Sequence, residues 1–186
     1  MSRRFKTGRR VSTHQIEVFV DRIEQLFNSM DPSPFHEKDL DHDAEEFIVS
    51  WAQEFPRNAP LALVVHVNQL PAHGDPERLV ETAVHNYFAY RAKLNQFEFR
   101  HLLEEGRISL LIGLGFLSTC LVIGQLLRYR PDTLSIVVRE SLVIAGWVAM
   151  WRPMQIFLYE WWPLRRTGQL FEKMSRMHVE VRKRGG

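Results

Sequence analysis

Residues 36–46, HEKDLDHDAEE, bring six carboxylates and two imidazoles into one short segment. That is the side-chain set that holds a cation or passes a proton. Asp39, Asp41 and Asp43 match the first three ligand positions of a calcium loop, but Ala44 stands where the turn glycine belongs and Ser50 where the closing glutamate belongs. A transition-metal site would instead use His42 and Glu46, one helical turn apart, with His36 as third ligand. Carboxylates ahead of and within a first helical turn also complement the helix dipole, so solvated capping is the expected role and no cofactor is expected. His66 and His178 lie on two predicted strands and would meet only if those strands pair suitably; half-buried structural histidines are the ordinary reading. No glycine-rich phosphate loop, nucleophile elbow, HExxH or cysteine pair is present. Catalysis has no positive support.

A second feature with chemical content is Arg152–Pro153, set in an apolar stretch. A cation at membrane depth costs about 2.5–3.5 kcal/mol on insertion scales, which makes it a functional-site candidate by default. Pro153 cannot donate an amide hydrogen bond and leaves the carbonyl of Ala149 without its helical partner. The pair is expected either to let Arg152 snorkel to the headgroups beside a kink, the preferred reading, or to line a hinge or pore in an oligomer.

The elements that would hold these residues divide by solvent. Ile108–Leu127, ISLLIGLGFLSTCLVIGQLL, has no charge and suits a bilayer core of about 30 Å. A second span fits either Leu134–Arg152 or Ser141–Tyr159, about 138–159 overall. The later frame is preferred because it leaves Arg139 and Glu140 at the surface. It puts Arg152 about 10 Å of helix from the inner end. Tyr159, Trp161 and Trp162 then anchor the interface, followed by Pro163, Arg165 and Arg166. Ser109, Gly113, Cys120 and Gly124 on the first span, and Ser141, Ala145 and Ala149 on the second, are the small residues through which helices would pack. Pro131 and Asp132 supply a short turn between them. Arginines and lysines are more numerous before the first span (Arg91, Lys93, Arg100, Arg107) and after the second (Arg165, Arg166, Lys173, Arg176) than between them (Arg128, Arg130, Arg139), which favours both termini in the cytoplasm. The first twenty residues have no apolar core of secretory-signal length, so targeting is expected from the internal helices. Cys120 is the one cysteine, which excludes an internal disulfide and a cysteine-based zinc site.

Outside the spans, Ile16–Val20, Leu61–Val67 and Met177–Arg182 read as strands, and 22–30 and 43–55 as helices. Asp43 and Glu46 have capping-box spacing, and Phe47, Ile48, Trp51 and Phe55 share one helical face. From Pro76 a helix runs to Gly106 and into the first span; Val80, Ala83, Tyr87, Tyr90, Leu94, Phe97 and His101 follow steps of three and four. Covering a small sheet is the preferred role of that seam, oligomerisation the other. The fold expected is a membrane α+β protein: a two-helix transmembrane hairpin (108–160) inserted in a small cytosolic α/β domain (15–107) of about three strands. A basic disordered tail (1–14) precedes it, and an amphipathic helix and strand (161–186) return to it.

The stretches DPSPFHEKDLDHDAEEFIVSWAQEFP and GWVAMWRPMQIFLYEWWPLRR resemble an uncharacterised family of bacterial two-transmembrane inner-membrane proteins with a cytosolic domain, from about Ile16 onward. The resemblance implies architecture and no site. In layout alone the chain is also similar to pore-forming effectors of bacterial defence systems. The function expected is a non-enzymatic membrane scaffold or interaction module. An oligomeric channel or pore-forming effector is the alternative, and a membrane-bound enzyme using 37–46 the third reading. Expected partners are the lipid bilayer, a cytosolic protein and a second copy of the chain; nucleic acid is not expected.

Overall fold

Valine, isoleucine and leucine at alternate positions favour a pleated, half-buried backbone. Three such segments form strands: β1 (His14–Arg22), β2 (Leu61–Gln69) and β3 (His178–Lys183). The computed structural model describes residues 14–56, 59–69, 75–129 and 132–184. The strands make one all-parallel sheet in the order β1-β2-β3. Its register sets Ile16 beside Leu63 and Leu63 beside Val179, then Val18 beside Val65 and Val65 beside Val181. One face of the sheet is therefore a continuous apolar layer.

Three helices contribute to the core built on that layer. From α1 (His42–Glu54) come Ile48 and Ala52; from the start of α2 (Pro76–Leu127) come Val80, Val84 and Phe88. Phe171 and Met174 come from the end of the last helix, numbered α5 below (Trp161–Met174). Residues 1–93 with 168–186 form one compact unit and residues 94–167 another. The second unit holds the rest of α2, α3 (Thr133–Ala149), α4 (Trp151–Gln155), a π-helical segment (Ile156–Glu160) and the start of α5.

Helix α2 and the helical run Thr133–Met174 are both long and apolar enough to cross a membrane, with mean hydropathies of 2.2 and 1.5 over their apolar windows. Only 17% and 11% of those windows are buried, and Ile112, Leu134 and Trp147 are more than half exposed. A helix in a soluble core would bury most of such a window.

Strands β1 and β2 are longer than the sequence pattern predicts and β3 is shifted by one residue, and Gly106 does not break α2, since an interior glycine costs only about 1 kcal/mol against alanine. The helix predicted over 22–30 is not formed. Ile23–Leu26 makes one 3-10 turn, after which Phe27 bridges Leu40. The Asn28 N–H donates to the Asp39 carbonyl and the Asp41 N–H to the Leu26 carbonyl, so tertiary pairing takes the groups a helix would have used. The cap of α1 is Asp41, accepting from the Asp43 N–H at 3.1 Å, two residues earlier than the cap of the Asp43–Glu46 box. Along α2 the seam splits: Val80, Ala83 and Tyr87 are buried, whereas Tyr90 and Phe97 are exposed. The expected tail falls on residues 1–13, outside the described residues; His14 already belongs to β1. Pro131 also lies outside them, and Asp132 caps α3 by accepting from the Ser135 N–H at 3.1 Å.

Polar side chains tie α1 to α2. The Tyr87 hydroxyl donates to Glu45 Oε2 at 2.6 Å, and Arg91 Nη2 lies 2.8 Å from Glu45 Oε1. Burial, then the bond to Glu45, pushes the Tyr87 hydroxyl well above the usual tyrosine range. Arg91 stacks over Phe171, its carbon 5.4 Å from the ring centre, and its Nε is buried without a hydrogen-bond partner. Tyr87→Phe leaves the Glu45–Arg91 pair intact and is expected to cost about 1 kcal/mol, whereas Glu45→Ala strands two donors and costs about 1–3 kcal/mol. Urea denaturation of the detergent-solubilised chain measures both; equal losses would show that Arg91 gains nothing from Glu45.

Candidate functional site

Arg152 is the side chain around which the second unit organises its charge. Its Nη2 reaches Glu105 Oε1 at 2.7 Å, with Nε at 3.2 Å from the same oxygen, and its Nη1 reaches Glu160 Oε1 at 2.6 Å. Three elements deliver the three residues: α2, α4 and the end of the π-helical segment. Neither glutamate was foreseen as a partner. Glu105 precedes the first apolar stretch and Glu160 sits among aromatics, so only the antiparallel pairing of the helices joins them to Arg152.

Pro153 explains the local backbone. Its ring is incompatible with a continued helix through the carbonyl four residues earlier, and α3 ends at that residue, Ala149. Met150 tightens the chain with an N–H bond to the Trp147 carbonyl at 3.0 Å before α4 begins. The π-helical segment that follows places Ile156, fully buried, against α2: a Cβ built on Gly106 would lie 2.9 Å from Ile156 Cγ2.

The helix contact runs through small residues. A Cβ on Gly113 would meet the Ala149 carbonyl oxygen at 3.1 Å, and one on Gly146 would meet Leu117 Cδ1 at 2.7 Å and Cys120 Cβ at 3.5 Å. Gly113, Cys120 and Gly124 are buried and Ser109 is half-buried, its hydroxyl turned to the Glu105 carbonyl at 2.6 Å. Of the small residues expected on the second helix, Ser141 and Ala145 are exposed, whereas Ala149 meets Gly113. Gly146, outside that series, completes the contact stripe with Ala149. The facing positions 106 with 156, 113 with 149 and 124 with 139 set Ile108 level with about residue 155 and Leu127 level with about residue 136 at helical rise. The apolar stretch opposite 108–127 therefore begins and ends a few residues before Ser141–Tyr159. Arg152 lies about one turn inside it, with its guanidinium carried toward Glu105.

Of the interface residues, Tyr159 is exposed, Trp162 is half exposed and Trp161 is intermediate, its indole N–H donating to the Phe157 carbonyl at 2.8 Å. Arg165 stands over Trp161 and Arg166 over Trp162, 5.9 and 4.5 Å from the ring centres.

In the first unit Asp41 of the acidic segment caps α1 and Glu45 holds Tyr87 and Arg91, while Asp31 ties the turn before them. Asp31 accepts from the Ser33 and Asp39 N–H groups, each at 2.9 Å, and the Asp39 bond first, then Ser33, holds its carboxyl below the usual range. His36, His42 and Glu46 are all exposed, and among the described residues no three metal-ligating side chains converge. His66 and His178 are not neighbours either: His66 pairs with Arg182, and His178 with Ala62.

The sheet face away from the core is a feature that the sequence reading missed. Across it run Glu17–Val64–Glu180 and Phe19–His66–Arg182. Phe19 is 58% exposed, stacked on His66 at 4.6 Å and overlain by Arg184. His66 Nε2 is 3.5 Å from Glu17 Oε2, close enough for attraction but without hydrogen-bond alignment. All-parallel sheets are nearly always covered on both faces. The signal in sequence was the unbroken apolar run of β2, typical of a strand with two covered faces.

No protein-family model matches the chain, and no curated protein or solved structure matches it.

Two outcomes test the helix pair. Gly113→Leu should lower the thermal midpoint in detergent by the cost of an overpacked contact, about 1–3 kcal/mol, while Gly115→Leu, with open space at its Cβ, should leave it unchanged. Arg152→Glu and Glu105→Arg should each lower the midpoint and the double swap should recover part of the loss. No recovery would mean that these half-exposed pairs contribute little, as many exposed ion pairs do.

Proposed function

We propose that the chain is an integral membrane scaffold of the bacterial inner membrane: a two-helix hairpin inserted in a cytosolic α/β domain, with both termini cytoplasmic and no catalytic role. The observation that carries this reading is the parallel pairing of β3 with β2. A chain that leaves a sheet at Gln69 and rejoins it at His178 begins and ends in one compartment, so apolar helices between those points cross a membrane in pairs. The greater number of Arg and Lys beside the two outer ends supports the cytoplasm as that compartment.

Arg152 supports the anchor over the channel. Its charge is met by Glu105 and Glu160 of the same hairpin, so insertion requires no ring of copies around a water-filled axis. The outer sheet face, with Phe19 exposed on the edge strand beside His66 and Arg182, is the surface on which a cytosolic protein would dock.

Mass measurement and planar-bilayer recording of the purified chain, as wild type and Arg152→Ala, test the reading. A monomer or dimer without current is expected. A larger oligomer whose conductance changes with Arg152→Ala would replace the scaffold with the pore.

A further inference from the structure

At the start of α5 two arginine–tryptophan stacks lie side by side, Arg165 on Trp161 and Arg166 on Trp162. Helical Cα–Cβ bonds tilt toward the N-terminus. Each arginine therefore folds back one turn over the ring four residues earlier, and its guanidinium comes level with Trp161 and Trp162 rather than beyond them. Those tryptophans follow directly on the apolar run, at the depth where indoles settle at a membrane interface.

A guanidinium drawn to a ring face by cation–π attraction keeps N–H donors for a phosphate, which arginine binds in a bidentate manner. Among the described residues neither Arg165 nor Arg166 forms an ion pair, while the nearby Glu160 is occupied by Arg152. Among the described residues the two cations therefore have no carboxylate in ion-pair reach at the level where lipid phosphates lie.

Resting on the membrane reading above, we propose that Arg165 and Arg166, held by Trp161 and Trp162, form a binding site for the headgroup of an anionic phospholipid in the leaflet on the side of the chain termini. The stacks orient the two forks before the lipid arrives, which lowers the ordering cost of binding. A lysine has neither the planar stack nor the fork, so charge alone does not reproduce the site.

The test titrates the full chain in neutral detergent with phosphatidylglycerol or phosphatidylcholine and reads bound lipid by native mass spectrometry and the thermal midpoint. Preferential binding and stabilisation by phosphatidylglycerol are expected. Arg165→Gln and Arg166→Gln should each weaken that preference roughly fivefold, the equivalent of about 1 kcal/mol per cation. The Arg165→Lys/Arg166→Lys variant, which keeps the charge and guards against misfolding of the glutamine variants, should lose part of it.

Equal binding of both lipids by the wild type would overturn the site. So would a lysine variant indistinguishable from wild type, which would reduce the effect to diffuse attraction, or equal stabilisation by glycerol phosphate, which would make it a site for a soluble anion. A chain released from membranes by alkaline extraction would overturn the anchor reading itself; an embedded chain without lipid preference would overturn only this proposal.

Discussion

Hydrogen bonding between β2 and β3 is the constraint from which the remaining architecture follows. Residues 62–67 pair in parallel with 178–183, so more than half of the chain is a single excursion from one sheet back to it. Without β3 the central strand would be an edge, and two strands alone make a marginal sheet. With it, Leu63 and Val65 gain apolar neighbours on both sides and the helices have a layer to pack on. The pairing is also very non-local, since β3 is more than a hundred residues from β2, and contacts of that span are slow to form.

Each unit joins its helices through one shared charge, in a mirrored way. In the first, one carboxylate is shared: Glu45 accepts from Tyr87 and Arg91. In the second, one cation is shared: Arg152 is held between Glu105 and Glu160. The ends that carry these groups come from different helices in both cases, so each cluster fixes helix register as well as balancing charge. Close approach at Gly106, Gly113 and Gly146 does the same for the helix pair with shape, because a side chain larger than hydrogen would push the backbones apart.

The same polar logic accounts for the acidic segment. Asp31 and Asp41 accept backbone N–H groups at the turn before α1 and at its cap. Carboxylates used in this way serve the fold; the exposed imidazoles of His36 and His42 are left outside that network. The outer face of the sheet, by contrast, keeps Val64 buried at its centre while Phe19 on the edge strand stays exposed, in one row with His66 and Arg182.

The sequence by itself determined the two apolar helices, the three strand segments, a helix over 43–55 and the long helix beginning at Pro76. These rest on length, periodicity and local breakers, which act between near neighbours in the chain. Tertiary structure alone decided that the sheet is all parallel with β2 at its centre and that Phe27 abandons a helix to bridge Leu40. It also decided that Gly146 rather than Ala145 faces the other helix, and that Arg152 meets Glu105 and Glu160. Each depends on which distant groups arrive at a given donor, acceptor or surface. Forty-seven residues separate Glu105 from Arg152, and no local propensity reports across that distance.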